Sequence, residues 1–195
     1  MLGAMSQPTN PPQREPAQQA GLTLIELMVT LTITAVLLGI AVPSMQEMIA
    51  RRRVAAVAVE LSSDLRYMAS TGLQRSMGSQ LDIRSSCYVV SLDSAGSYGP
   101  CDCAQALPCG TAWNSPLVLK LVTLPSSAGI SLTSSRANTP FDWRGISQNG
   151  NPVSVTISST SGGKAKVYTQ GAIARPYVCS LEHQESSFPA CSVAP

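Results

Sequence analysis

The first hydrophobic pattern along the chain is an unbroken apolar run from Leu22 to Val42, in which Glu26 is the only ionisable residue. A helix over this run, at ~1.5 Å per residue, matches the ~30 Å hydrocarbon layer of a bilayer. The run is too long and too evenly apolar for a typical core helix. It also exceeds the ~7–15 apolar residues of a secretory signal. The pattern therefore predicts a membrane-spanning helix that contains one buried carboxylate.

Beyond Pro43 the pattern becomes amphipathic. Pro43 removes one backbone donor, so we expect it to bend the helix rather than end it. Apolar and small residues recur at three and four positions along one side: Val54, Val57, Ala58, Leu61, Leu65, Met68, Ala69 and Gly72. Four charged residues are expected largely off that side: Glu60, Asp64, Arg66 and Arg75. The spacing predicts a single helix from about Leu22 to about Ser76, whose second half packs on a sheet.

From Gln80 onward, short alternating runs indicate strands. They lie at 81–92 as a strand or hairpin and then at 117–124, 129–133, 153–157, 165–169 and 172–179. Residues 93–116 are rich in Gly, Ser, Pro and Cys and are predicted to form a long loop. One long helix followed only by strands predicts an α+β fold with an antiparallel sheet.

Composition narrows the class of protein. The 195 residues allow one modest domain besides the membrane helix, and the core must rely on aliphatic side chains because only 5% of residues are aromatic. The formal net charge of +2 is too slight to indicate nucleic-acid binding by itself.

All six cysteines follow the apolar run: Cys87, Cys101, Cys103, Cys109, Cys179 and Cys191. An even number in an exported segment predicts disulfides. The preferred pair is Cys179 with Cys191, which closes a short loop and ties down the tail, while Cys87 joins one of the three loop cysteines. No metal site is predicted, because paired Cys-x2-Cys motifs are missing and His183 is the only histidine.

Catalytic chemistry finds no support in the residue pattern. Asp142 has Ser and Lys residues near it in sequence, but no nucleophile is accompanied by a plausible base, and His183 lies alone in the irregular tail. No glycine-rich phosphate loop follows a strand. The chain is predicted to be no enzyme, with no catalytic residues and no cofactor.

Gly21 is followed by Leu-Thr-Leu-Ile-Glu-Leu at positions 22–27. This segment resembles the processing site of type IV pilins and type II secretion pseudopilins, usually Gly-Phe-Thr-Leu-Ile-Glu, with Leu22 in place of Phe. The resemblance implies that a prepilin peptidase removes residues 1–21, cleaving after Gly21, and methylates the new amino group of Leu22. It also implies that Glu26 pairs with the N-terminal amine of a neighbouring subunit, which makes a carboxylate in lipid tolerable. Pro43 lies at the position of the family's helix-kinking proline.

The globular part is also similar to this family. Residues 141–145, Phe-Asp-Trp-Arg-Gly, resemble a Phe-containing strand ending in Gly in type II secretion protein H and FimT/FimU, and a cysteine pair near the end fits the same group. The resemblance implies a minor pilin or pseudopilin that primes or caps filament assembly. Its parts are a 22–43 transmembrane and polymerisation helix, a 44–76 amphipathic helix and a 77–195 periplasmic domain. Its partners are other pilin subunits, the prepilin peptidase and inner-membrane lipid.

Two choices remain open at this point. The filament that the subunit joins is either a type II secretion pseudopilus or a type IV pilus. Translation begins at either Met1 or Met5. Some FimT-type minor pilins bind DNA through a Gly-Arg-x-Arg-like element, and here Gly171 is followed by only one arginine, Arg175. Basic residues outnumber acidic ones from Leu117 on, so a weak DNA-binding patch is the alternative function. Its candidate contacts are Lys164, Lys166 and Arg175.

Three arginines, Arg51 to Arg53, follow the apolar run, whereas only Arg14 precedes it. Charge counting alone would place the globular domain in the cytoplasm. The periplasmic orientation therefore rests on the resemblance and on the cysteines. The arginines form either a belt that meets lipid phosphates or a solvated helix face, and we favour the interfacial interpretation.

Overall fold

The computed structural model describes residues 23–93, 101–105, 109, 116–148, 150–171, 173–181 and 188–191. They form one helix, α1 (Leu24–Arg75), followed by strands. The strands are β1 (Gly78–Ile83), β2 (Cys87–Asp93), β3 (Leu117–Thr123), β4 (Ile130–Ser134), β5 (Asn138–Phe141), β6 (Ser154–Ser159), β7 (Lys164–Thr169) and β8 (Pro176–Ser180), with a short 3-10 helix, Ser126–Ala128, before β4. The chain separates into two compact units, Met1–Ala41 and Val42–Pro195. The predicted α+β class is confirmed.

Both ends of α1 follow from local sequence. The hydroxyl of Thr23 accepts a hydrogen bond from the Glu26 amide at 3.3 Å, and Thr-x-x-Glu is the sequence of a capping box. At the other end Ser76 adopts a left-handed backbone with φ of 53°. The amides of Ser76 and Met77 donate to the carbonyls of Leu73 and Gly72 at 3.3 and 3.0 Å, which is the Schellman pattern. Pro43 lies inside α1 and does not end it.

The strands make two four-stranded antiparallel sheets rather than the single sheet expected. The first has the order β3-β2-β1-β5 and the second the order β4-β6-β7-β8. The backbone amide of Leu132 in β4 donates to the carbonyl of Ser85, in the turn between β1 and β2, at 2.9 Å. Alternation predicts that a segment is a strand but not which strand it pairs with, so the division into two sheets was not visible in the sequence.

One core joins the second half of α1 to both sheets. Val54, Leu61 and Met68 are completely buried in a cluster with residues from both sheets. The sheet residues include Leu81, Tyr88, Val90, Phe141, Val155, Ile157 and Val167. Burying a Leu or Val side chain contributes ~1.5–3 kcal/mol, so this stripe stabilises the fold more than local helix propensity does. The apolar side of the second half of α1 therefore packs on strands of both sheets.

Two strand predictions were wrong in position. Residues 142–145 form a turn, and β5 instead ends at Phe141. The carboxylate of Asp142 accepts hydrogen bonds from the amides of Arg144 and Ile146 at 2.9 and 2.8 Å, and Gly145 has a φ of +74°, so side chain and glycine together favour a turn. The last strand begins at Pro176 rather than at 172, because Ala174 donates to the carbonyl of Gly145 instead of to β7.

Three disulfides connect the six cysteines: Cys87–Cys103, Cys101–Cys109 and Cys179–Cys191. The structure thus contains the pair preferred from the sequence and gives Cys87 a loop partner. The buried Cys87 and Val89 of β2 pack with Cys101 and Cys103 in a second, smaller core. This second core explains why β2 is buried along its whole length.

Candidate assembly helix and binding surfaces

The first part of α1 exposes an apolar surface. Large side chains from Leu24 to Val42 are 48–76% exposed. Within the described residues α1 is the one helix that is long and apolar enough to cross a membrane. The cost of leaving such a surface in water predicts that it is covered by lipid or by other helices.

Glu26 lies in the first turn of α1 and is exposed. Its side chain makes no ion pair or hydrogen bond within the described part of the chain. A carboxylate in the first turn interacts favourably with the helix dipole, typically by ~0.3–1 kcal/mol. The Thr23 cap and the helix dipole give Glu26 a local structural role, and the sequence signal for that role is Thr-x-x-Glu at positions 23–26. Gly21 and Leu22, the predicted processing residues, lie outside the described residues.

A polar cluster fastens α1 to the first sheet. The Tyr88 hydroxyl on β2 donates to Asp64 Oδ2 at 2.7 Å, and Lys120 Nζ on β3 donates to Asp64 Oδ1 at 2.9 Å. Lys120 Nζ also reaches Glu60 Oε1 at 2.9 Å. Burial, followed by the hydrogen bond to Asp64, raises the pKa of Tyr88 above its usual value of 10. The hydrogen bond to Asp64 likewise raises the pKa of Lys120.

This cluster corrects the prediction for Asp64. The residue was expected largely off the apolar stripe, but it is buried, with 6% of its surface exposed. Its spacing from Leu61 and Met68, three and four residues, places it on the buried side. A buried carboxylate needs partners, and Tyr88 and Lys120 supply them. The spacing was therefore a usable signal for a polar contact inside the core.

A second buried carboxylate lies in the first sheet. The amides of Gln80 and Asn138 donate to Asp82, and the backbone of Cys101 also donates to it. Burial raises the pKa of Asp82 above 3.8 in spite of these hydrogen bonds. The carboxylate thus connects β1 and β5 to the disulfide-bonded loop.

The three basic residues predicted as DNA contacts lie on the second sheet or directly beside it. Lys164 and Lys166 are two residues apart on β7, and Arg175 directly precedes β8. Arg175 shares a pocket of about 320 Å³ with Pro176, Tyr177 and Arg66 of α1. Tyr177 stacks on Tyr168 with ring centroids 5.8 Å apart. Arg66 had not been identified as a candidate, because its approach to β8 depends on tertiary packing.

Within the described ranges no three His, Cys, Asp or Glu side chains form a group that could hold a metal ion. All six cysteines are occupied in disulfides.

Comparisons with known proteins give two likenesses. Residues 16–42 match the family model of the prokaryotic N-terminal methylation motif. The crystal structure of the type IV minor pilin FimU from Pseudomonas aeruginosa is similar, with a TM-score of 0.46 and 15% identity, over 66% of this chain and 89% of that chain. The comparison with curated protein sequences finds no significant match.

The match to the methylation motif, residues 16–42, includes the apolar first half of α1, and antiparallel sheets and disulfides follow. In these features the chain is similar to type IV pilin-like proteins. Pilin-like proteins are structural subunits and not enzymes, in agreement with the prediction from the sequence. The apolar helix and the motif are those expected of a membrane-anchored subunit that is incorporated into a pilus-type filament.

Proposed function

We propose that the protein is a minor pilin or pseudopilin that primes or caps assembly of a type IV pilus or a type II secretion pseudopilus. The observation that carries this proposal is the exposed apolar half of α1, which begins with the methylation motif and contains Glu26. A surface of this kind requires partners, and a helical bundle of subunits provides them.

The proposed assembly chemistry begins with processing. A prepilin peptidase cleaves after Gly21 and methylates Leu22, so the mature chain starts two residues before α1. Glu26 then accepts the positively charged amine of Leu22 from a neighbouring subunit, which neutralises both groups where lipid or apolar helices surround them. The helix of residues 22–43 crosses the inner membrane once, and the 77–195 domain lies in the periplasm, where its disulfides form.

Mass spectrometry of the membrane-bound protein tests the processing step. We expect an intact chain that begins at methylated Leu22. A mature chain that begins at Met1 or Met5, or beyond residue 41, would contradict the proposal.

Filament incorporation tests the role of Glu26. In cells that express the full chain, we expect Glu26→Gln to lower the amount recovered in sheared or membrane-extracted filaments at least tenfold, because the neighbour's amine loses its counter-ion. Thr30→Ala, one turn further along the same helix, is the matched control and should assemble normally. Equal assembly of both variants would show that the Glu26 charge is not used.

DNA binding is the second candidate function, and one observation favours it. Arg66 and Arg175 line the same pocket beside the Tyr168–Tyr177 stack, and neither arginine makes an ion pair within the described ranges. Paired guanidinium groups next to an aromatic ring are suited to phosphates and bases. A gel-shift titration should then show salt-sensitive binding at micromolar protein, weakened in Arg175→Ala. Arg144→Ala, which removes an exposed arginine paired with Asp142, is the control. Salt-insensitive or undetectable binding would remove this candidate.

A further inference from the structure

The exposed apolar surface of α1 continues past Pro43 and ends where three arginines begin. Met45, Met48 and Ile49 are 64%, 51% and 39% exposed. Arg51, the first arginine, follows Ile49 by two residues, which is ~3 Å along a helix. The interfacial layer of a bilayer extends ~5–8 Å beyond each side of the hydrocarbon. A straight helix from Leu22 to Ile49 is ~40 Å long, which exceeds the ~30 Å hydrocarbon layer. A tilt of ~40° from the membrane normal would keep that length in the layer and bring the three arginines to the headgroups.

Arg51 is held in place by the globular domain. It forms an ion pair with Glu47 one turn earlier. The turn between β6 and β7 lies directly against it, since a Cβ atom at Gly163 would be 3.1 Å from the Cα of Arg51. Gly163 has a φ of +91°, so both its conformation and its close approach require glycine. The helix is therefore fixed against the second sheet at the level of its arginines.

The guanidinium of Arg51 retains binding capacity. Its Nε is buried and has no hydrogen-bond partner among the described residues. Ser44, Glu47 and Met48 line a cavity of about 220 Å³ with it. A buried donor without a partner is costly. The Arg51 side chain as a whole is 28% exposed, so an acceptor from outside can approach the exposed part of the guanidinium.

The next two arginines extend this cationic surface. Arg52 and Arg53 are exposed and make no ion pair within the part of the chain that the structure describes. Successive helical residues are about 100° apart, so the three guanidinium groups spread over about half of the helix circumference. Glu47 is the one acidic side chain paired with any of them there.

We propose that Arg51, Arg52 and Arg53 form a binding site for the phosphate groups of anionic phospholipid headgroups. This proposal rests on the proposed membrane anchoring. Guanidinium groups bind phosphate oxygens in a bidentate manner, and clusters of basic residues beside a membrane helix favour anionic lipid. Ile49 and Met48 meet the acyl chains while the arginines meet the headgroups. Extraction of the subunit into a filament then requires release of this lipid.

Lipid titration of the purified full chain tests the site. Native mass spectrometry of the protein in a neutral detergent would follow binding of short-chain phosphatidylglycerol, phosphatidylcholine and, separately, inorganic phosphate. We expect phosphatidylglycerol to bind about tenfold more tightly than phosphatidylcholine. Arg52→Gln with Arg53→Gln should abolish that preference.

The matched control is Arg75→Gln with Arg144→Gln. It removes the same charge further from the apolar surface, at residues that are also exposed and that belong to neither proposed binding site. We expect its phosphatidylglycerol affinity to stay within twofold of the unmodified chain. Equal loss in both double variants would mean that only net charge matters, and it would overturn the proposal. No loss in either would overturn it as well.

Two further measurements complete the test. One distinguishes lipid phosphate from free phosphate, and the other separates failure of the lipid site from failure of the proposed processing. Competition by inorganic phosphate at the concentration of the lipid would assign the site to free phosphate and contradict lipid binding. Lipid preference is measured regardless of where the mature chain begins. Failure of processing after Gly21 would therefore appear only in the mass of the chain, and failure of the lipid site only in the bound lipid.

Discussion

The two halves of α1 belong to one helix but are buried in different ways. Side chains from Leu24 to Val42 remain exposed, whereas Val54, Leu61 and Met68 are completely buried. Local helix propensity does not explain the difference, since both halves are helical although the first is rich in Thr, Val and Ile, which are weaker helix formers. The first half lacks a polar side, while the second alternates a buried stripe with charged residues.

This difference shows that burial can be divided between one chain and its surroundings. The second half finds its apolar partners in two sheets of the same chain. Among the described residues the first half finds no such partners, so we expect lipid or other helices to cover it. Its exposed surface is consistent with assembly and is not a defect in packing.

The largest expected change in the free energy of unfolding comes from truncating one leucine in each half of α1. The two variants test whether the halves differ in burial. Leu61→Ala should lower the free energy of unfolding by ~2–5 kcal/mol, because it leaves a cavity in the core. Leu37→Ala, in the exposed half, should change it by less than ~0.5 kcal/mol. Urea unfolding of the full chain in mild detergent, followed by intrinsic fluorescence, measures both. Similar losses would show that the first half is also packed within the chain.

Removal of the Tyr88 hydroxyl should lower the free energy of unfolding by an intermediate amount. It tests whether the hydrogen bond to Asp64 holds the second half of α1 on the first sheet. Tyr88→Phe removes the buried donor to Asp64 and should cost ~1–3 kcal/mol in the same unfolding experiment. Tyr67→Phe is the control, because Tyr67 lies on α1, the helix that contains Asp64, and is 54% exposed. If both variants unfold at the same urea concentration, the Tyr88–Asp64 contact does not stabilise the helix in place.

The smallest expected change in stability comes from Asp82, a carboxylate on β1 rather than on α1. It is measured as a change in the pH dependence of unfolding. Because burial raises the pKa of Asp82 above 3.8, the folded state binds its proton more tightly than the unfolded chain does. The stabilisation from this proton is fully present below pH 3.8 and is lost as the pH rises through the folded pKa. Thermal unfolding of Asp82→Asn should therefore gain stability relative to the unmodified chain as the pH rises.

Asp102 supplies the control of opposite sign. The hydrogen bond from the Ala104 backbone lowers its pKa, so its contribution is present above pH 3.8 and is lost as the pH falls. Asp102→Asn should thus lose stability relative to the unmodified chain as the pH rises. The same sign of change in both variants would contradict the assignment for Asp82.

Much of the fold was predictable because its signals are local. The apolar run, the spacing of Leu61, Leu65 and Met68, and the strand alternation depend on neighbours in sequence. Pairing of strands into two sheets and the approach of Arg66 to Arg175 depend on long-range packing, which a single sequence does not specify. Asp64 is intermediate, since its spacing indicated burial but its partners Tyr88 and Lys120 come from distant strands.

The candidate site shows the same division. Glu26 and the processing motif are contiguous residues, so they were recognised from the sequence. The contact of Gly163 with Arg51 joins residues far apart in the chain, and only the folded structure reveals it.

The shared carboxylate of Asp64 also bears on mechanical load. If the chain acts as the proposed filament subunit, a pull along its helix would pass into the globular domain. Asp64 is attached to Tyr88 on the interior strand β2 and to Lys120 on the edge strand β3. Tension on the helix is therefore divided between two strands. The edge strand does not take the whole pull, which lowers the chance that it peels away from the sheet.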